Sequence, residues 1–296
     1  MIDNKAKAQV LVDALPYLQK YNNKIVVVKY GGNAMTSEDL KSTVMCDVVL
    51  LSLVGIKVVL VHGGGPEINE QLAKINKKPE FVDGIRYTDK ETMEVVQMVL
   101  CGKINKNLVS LLGEKGGKAI GLSGLDASML VAKQKSEALG YVGEITQVNT
   151  DCILDALDKG YIPVISSVAM GEDSQVYNIN ADTAAAKIAA ALHAENLILM
   201  TDISGLLRDV KDPSSLLSMV TLDEVEQLKA EGVITGGMIP KVDCCVDAVT
   251  QGLDRSIIID GRIPHAILIE MLSEEGIGTM FHWGKTKKKN LLQGYL

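Results

Sequence analysis

Two hydrophobic patterns alternate along the chain. Short unbroken runs of β-branched and aliphatic residues give way to longer stretches in which apolar positions return at helical spacing. Ile25–Tyr30 (IVVVKY), Lys57–Val61 (KVVLV), Ala119–Leu122, Ile162–Ile165, Leu197–Met200 and Ser256–Ile259 are runs of the first kind. They predict strands buried on both faces, the last of them closing the sheet. Ala6–Tyr21, Ser37–Leu53, Lys90–Cys101, Lys103–Glu114, Asp223–Ala230, Pro240–Gln251 and Pro264–Leu272 read as helices, as does an Ala-rich stretch from Asp182 to Leu192. Pro16 lies inside the first helix and predicts a kink. Phe81–Tyr87 reads as a short hairpin, and Ser128–Val131 with Val142–Val148 as an antiparallel pair. The alternation predicts an α/β protein. A change of role near residue 194 is expected, although no Pro/Ser-rich hinge marks it.

Composition narrows the function. The 296 residues carry a formal charge of −7 and no basic stripe interleaved with aromatics, which argues against a nucleic-acid partner. One cationic cluster, Lys285, Lys287, Lys288 and Lys289, reads as a solvated tail. Five cysteines show no C-x-x-C spacing and four histidines no zinc-binding spacing, so neither a disulfide framework nor a metal site is expected. No secretory signal pattern is visible, and no apolar run reaches the roughly eighteen residues of a membrane span. A cytoplasmic protein without a membrane partner is expected.

The standard nucleotide signatures are broken. Gly284-Lys285-Thr286 lacks the first P-loop glycine, and the loop His62–Pro66 has Ile68 where a dinucleotide fingerprint needs its third glycine. No protein-kinase H-R-D or D-F-G is present. Gly-rich turns nevertheless follow the buried strands, where open α/β sheets place their ligand crevices. Lys29-Tyr30-Gly31-Gly32 puts a cation at one strand end, and an ammonium near the core needs an anionic partner. Gly63-Gly64-Gly65 opens a helix whose dipole favours negative charge. Each turn alone is also ordinary strand-to-helix geometry. In Asn178-Ile179-Asn180-Ala181-Asp182 either Asn180 or Asp182 could simply cap the next helix, and Thr201-Asp202 could be a cap or a turn. Lys241 stands at a helix start, where the dipole disfavours a cation unless a phosphate answers it. Two lysines, an aspartate and several glycine turns suit phosphoryl transfer, which asks for positive charge and in-line positioning. A carboxylate acceptor is already ionised and needs no general base.

At these residues the chain resembles the amino acid kinase family. The likeness is carried by VVVKYGGNAM (Val26–Met35), VHGGGPEI (Val61–Ile68), DGIRYTD (Asp83–Asp89), GYVGEI (Gly140–Ile145), YNINAD (Tyr177–Asp182), TDISGL (Thr201–Leu206), TGGMIPK (Thr235–Lys241) and IDGRIPHAIL (Ile259–Leu268). The resemblance implies a three-layer α-β-α sandwich with a mostly parallel central sheet, preceded by an N-terminal helix. Residues 1–23 would form an oligomerisation helix, 24–194 an amino-acid-binding and dimerisation half, and 195–296 an ATP-binding half. The implied reaction moves the γ-phosphate of ATP, with Mg²⁺, to the side-chain carboxylate of N-acetyl-L-glutamate, in arginine synthesis. Lys29 and Lys241 would neutralise the migrating group, Gly32 and Gly64 would donate N–H bonds to it, and Asp182 would hold both lysines. Arg86, Asn178, Asn180, Gly64 and Gly65 would bind the acyl amino acid. Gly31, Thr201, Asp202, Gly205, Leu207 and Gly236 would join the lysines around the nucleotide. ALPYLQKYNNK (Ala14–Lys24) is similar to the extra helix of arginine-inhibited members, which implies a hexamer built as a trimer of dimers. Arginine would then bind near Tyr17, Glu270 and Gly276, with backbone groups of residues 273–276. Tyr87 departs from the Val common in the family, and Cys244–Cys245 reads as core packing. Other acids as substrate, a non-catalytic arginine sensor and a dinucleotide oxidoreductase are the competing readings. The paired lysines and the broken glycine fingerprint weigh against the last two.

Overall fold

The structure is a computed structural model and describes residues 3–35, 37–274 and 276–284. The cationic cluster Lys285–Lys289 and the Gly284-Lys285-Thr286 approach to a P-loop therefore fall wholly or partly outside the described residues. In chain order the elements are α1 (Asn4–Asp13), α2 (Leu15–Tyr21), β1 (Ile25–Tyr30), α3 (Glu38–Leu53), β2 (Lys57–His62) and α4 (Gly65–Lys74). Then come β3 (Phe81–Val82), β4 (Ile85–Arg86), α5 (Lys90–Gln97), α6 (Asn105–Glu114), β5 (Ala119–Ser123), β6 (Leu130–Gln134) and β7 (Gly143–Val148). Next are α7 (Asp151–Asp158), β8 (Ile162–Ser166), β9 (Val168–Gly171), β10 (Val176–Asn178), α8 (Ala181–Ala191) and β11 (Asn196–Thr201). The last are β12 (Met219–Thr221), α9 (Leu222–Ala230), α10 (Ile239–Thr250), β13 (Arg255–Asp260), α11 (Ala266–Leu272) and β14 (Thr279–His282).

The central sheet runs β12-β14-β13-β11-β1-β2-β8-β5 and is parallel except at β13–β14. A four-stranded sheet, β10-β9-β6-β7, and the β3–β4 hairpin complete the strands among the described residues. This is the α/β sandwich with a mostly parallel sheet that the sequence predicts. The alternation of side chains along a strand sets everything that follows. Val26, Val28 and Tyr30 face one hydrophobic layer with α3, α5, α6 and α11. Val27, Val59 and Val61 face the other, with α7, α8, α9 and α10. Lys29 therefore emerges on the α8 and α10 side, while His62, in step with Val58 and Leu60, emerges on the α6 side. One sheet runs through the expected change of role near residue 194, since β11 pairs directly with β1.

Four expectations need correction. The N-terminal helix breaks at Ala14, not at Pro16, because Pro16 sits in the first turn of α2, where its missing N–H has no partner to lose. The two helices expected around residue 102 are one continuous rod, joined by a π-helical segment at Met98–Ile104 that absorbs Gly102 without a break. β13 does not close the sheet: β14 and β12 lie outside it. Finally β9, β10, β12 and β14 were not anticipated, since strands of three or four residues carry too little periodicity to be read.

Candidate active site

The carboxyl ends of β1 and β2 deliver two glycine turns side by side. Gly32, with φ at +69°, is in the left-handed region that a side chain would strain. A Cβ on Gly31 would stand 2.7 Å from Lys29 Nζ, so the lysine folds back over its own turn. Gly64 caps α4, and a Cβ there would run into Ile104 Cδ1 and come within 2.8 Å of Leu100 Cδ2.

Three charges meet beside these turns. Lys29 Nζ lies 2.8 Å from Asp182 Oδ1, and Lys241 Nζ donates to Asp182 Oδ2 at 3.0 Å. The Asp182 side chain is 13% exposed, which makes this a nearly buried triad and not a surface pair. Burial pushes its carboxyl up, but the charges of Lys29 and then Lys241, with their hydrogen bonds, outweigh burial and hold it down to about 2. The capping role falls to Asn180, whose Oδ1 accepts from Asp182 N (2.9 Å) and Thr183 N (3.1 Å). Asp182 is thereby free to brace the lysines.

A cleft of about 360 Å³ runs from Lys29 and Lys241 past Gly31, Gly32 and Gly63–Gly65 to Arg86, Asn178 and Asn180. Arg86, at the end of β4, is buried and stacks over Phe81 at 4.9 Å. Its Nη2 donates to Asn69 Oδ1 (2.7 Å) and Gly65 O (3.3 Å), while Nη1 is buried with no partner among the described residues. Burial lowers the pKa of the guanidinium, so the charged form gains from an anion placed at Nη1. Asn178 Nδ2 donates to Thr88 Oγ1 at 3.2 Å. Lys29, Lys241, Gly31, Gly32, Gly64, Gly65, Arg86, Asn178 and Asn180 thus share one cleft, with Asp182 beneath it.

The other expected nucleotide residues do not line that cleft. Thr201 and Asp202 stand at the carboxyl end of β11, with Asp202 Oδ1 3.6 Å from where a Gly32 Cβ would be. The Thr201 hydroxyl is occupied in its own turn, by Ile203 and the Ile259 carbonyl. Gly205, at φ +129°, packs where a side chain would meet Thr279. Leu207 bridges to Leu216, and Gly236 opens the turn before α10. Of the expected effector residues, Tyr17 is partly buried against the core layer of α11. Glu270 Oε2 accepts from Ile277 N (2.8 Å) and Gly278 N (3.0 Å), and Gly276 is packed so tightly on it that a Cβ would come within 2.8 Å. Burial raises the Glu270 pKa, against those two hydrogen bonds. Residue 275 of the expected backbone segment lies outside the described residues.

Sequence reasoning missed Asn69, Thr88 and Ser167 at the cleft, and the buried pair His62–Asn105 behind it. The adjacency of His62 to Gly63 was a usable signal. For Asn105, 43 residues further on, none existed before the fold was known.

Paired lysines on one carboxylate, beside glycine turns at the ends of parallel strands, define a phosphotransferase cleft. Residues 24–260 match the model of the amino acid kinase family, and the chain belongs to that family. An acetylglutamate kinase from Clostridium beijerinckii is 56% identical over 285 residues, which cover 95% of this chain and 100% of that protein. One from Clostridioides difficile is 52% identical over 94% of this chain and 97% of its own. Among solved structures, an N-acetylglutamate synthase from Neisseria gonorrhoeae, complexed with coenzyme A and N-acetyl-glutamate, superposes with a TM-score of 0.82. The match covers 94% of this chain but only 63% of that one, and at 23% identity it speaks to the fold alone. A Giardia carbamate kinase superposes with a TM-score of 0.66 at 17% identity, over 88% of this chain and 99% of that one.

Proposed function

We propose that this kinase transfers the γ-phosphoryl group of MgATP to the side-chain carboxylate of N-acetyl-L-glutamate, giving N-acetyl-L-glutamyl 5-phosphate. The observation that carries the reading is the convergence of Lys29 and Lys241 on Asp182 at the mouth of the glycine turns. Each ammonium meets the transferring group from its own element, β1 or α10, and neutralises charge spread over its equatorial oxygens. Gly32 and Gly64 donate backbone N–H groups to the same oxygens. Arg86 and Asn178 take the α-carboxylate, for which the vacant Nη1 donor of Arg86 supplies the recognition. The acceptor carboxylate attacks directly, so no side chain has to remove a proton. Thr201, Asp202, Gly205, Leu207 and Gly236 hold the nucleotide at the ends of β11 and α10, and Mg²⁺ enters on phosphate oxygens.

The reading extends to organisation. Residues 24–194 serve the acyl amino acid and 195–296 the nucleotide. No residue of α1 is buried, and Val10, Leu11 and Val12 are 65%, 73% and 60% exposed, which favours residues 1–23 packing on another copy in a hexamer. Arginine acts as inhibitor at Tyr17, Glu270 and Gly276, in the cytoplasm. None of the described helices is long and apolar enough to cross a membrane. ADP release with N-acetyl-L-glutamate, compared with carbamate, aspartate and glutamate and with added arginine, tests substrate and regulation, and light scattering tests assembly. Equal turnover of the unacetylated acids would reject the substrate.

A further inference from the structure

His62 ends a central strand, is fully buried, and lies against the glycine turn from behind. Its Nδ1 is 2.9 Å from the Gly63 carbonyl, and its Nε2 is 3.2 Å from Asn105 Nδ2. Both contacts fix the proton. A carbonyl only accepts, so Nδ1 carries the hydrogen. Asn105 Nδ2 also faces the carbonyls of Leu122 (3.1 Å) and Val164 (2.8 Å), so its amide is oriented as a donor there. Nε2 opposite that amino group must therefore keep its lone pair. A second proton on the ring would point one donor at another in a dry site. Burial accordingly lowers the His62 pKa to about 4, despite its bond to Gly63.

The consequence lies across one peptide bond. The Gly63–Gly64 amide is planar and trans, so its C=O and N–H point in opposite directions. Holding the Gly63 carbonyl on the His62 side turns the Gly64 N–H the other way, toward the cleft that Gly64 lines. The π-helical segment supplies the wall: Leu100 and Ile104 press on the Gly64 Cα, and Asn105 follows directly. We propose that His62 is a positioning residue for phosphoryl transfer, a neutral Nδ1–H donor that aims the Gly64 N–H, with Asn105 and the π-helical segment holding it in place. This inference rests on the function proposed above, in which the Gly64 N–H meets the transferring group. His62 itself touches no substrate and exchanges no proton.

The test is a pair of substitutions and a spectrum. His62→Leu removes the donor and leaves the Gly63 carbonyl without it, yet keeps both Asn105 amide hydrogens with the Leu122 and Val164 carbonyls. Mis-aiming one transition-state donor should lower kcat by about 10- to 100-fold while the KM of both substrates stays within about threefold. His62→Asn, whose amide can donate at the Nδ1 position, should restore kcat to within about fivefold of the parent. Nitrogen NMR of histidine-labelled protein, assigned by the signal lost in His62→Asn, should show His62 protonated at Nδ1 alone. An unchanged kcat in His62→Leu, an asparagine variant no better than the leucine one, or a ring protonated at Nε2 would each overturn the proposal. If the parent chain itself fails to turn over N-acetyl-L-glutamate, the functional reading falls instead, and the spectrum still decides the tautomer.

Discussion

Removing the charge of Asp182 probes the centre of the site. Asp182→Asn keeps the shape and takes away the carboxylate that both ammonium groups share, at 2.8 and 3.0 Å. The depression of its pKa from 3.8 to about 2 corresponds to about 2 kcal/mol of stability through proton linkage. Leaving the nearly buried Lys29 uncompensated adds to this, because breaking such a pair costs about 3–5 kcal/mol when one partner is removed. A loss of about 3–5 kcal/mol at pH 7 is therefore expected in urea denaturation. The sign with pH is fixed. A carboxyl whose folded pKa is depressed stabilises fully above its unfolded value near 3.8, and that stabilisation disappears as pH falls through about 2. The gap between parent and variant should thus stay constant from neutral pH down to about 4 and narrow below it. Turnover in a coupled ADP-release assay should fall by about 10²-fold, since both lysines lose their brace. A variant within about 0.5 kcal/mol of the parent, with turnover within threefold, would refute the triad as the centre of the site.

Other expectations follow from the same geometry. Lys29→Ala and Lys241→Ala should each lower kcat by about 10²–10³, measured as ADP release at saturating substrates. Gly31→Ala places a methyl group 2.7 Å from Lys29 Nζ, a movable side-chain end, so activity should drop while thermal stability changes little. Arg86→Lys cannot reproduce the planar fork, and the KM for N-acetyl-L-glutamate should rise about tenfold or more with a smaller effect on kcat. Gly64→Ala drives a methyl group into Ile104 and Leu100 and should cost about 1–3 kcal/mol in denaturant unfolding.

Much of this was legible in the chain, for reasons that also mark the limit. Lys29 could be read because a charged residue interrupts the apolar run of β1 just before two glycines, and Lys241 because a cation at a helix start is locally unfavourable. From its local pattern Asp182 was one of two candidates, since Asn180 and Asp182 are equally good caps on paper, and its bracing role came from the resemblance alone. The choice is made by the strand alternation that puts Lys29 on the α8 face, which is a property of the sheet. Arg86 was legible through resemblance, but its partners were not. Asn69 lies on α4 and Phe81 on the neighbouring strand, and only the return of the hairpin over α4 joins them. The π-helical segment defeats periodicity outright, because one extra residue shifts the apolar stripe while the rod continues.

The electrostatics of the cleft tie these pieces to one kind of ligand. The chain as a whole is acidic, with a formal charge of −7, yet the charged side chains lining the cleft are Lys29, Arg86 and Lys241. Asp182 beneath them answers the two lysines with a single negative charge and leaves Arg86 unanswered. Three cations thus line the cleft over the Asp182 carboxylate, with the Asp202 carboxylate beside the Gly32 turn. Such a cleft in an acidic surface focuses the field on itself and repels anions elsewhere. On the proposed function, a dianionic acyl amino acid and a nucleotide phosphate would together supply what the lysines and Arg86 are missing, at the two ends of the cleft where those cations stand. A neutral or cationic ligand would leave the buried guanidinium nitrogen and the second lysine charge unmet. The selectivity for two anions meeting end to end thus follows from where β1, β4 and α10 deliver their charges, before any contact with the acyl group is considered.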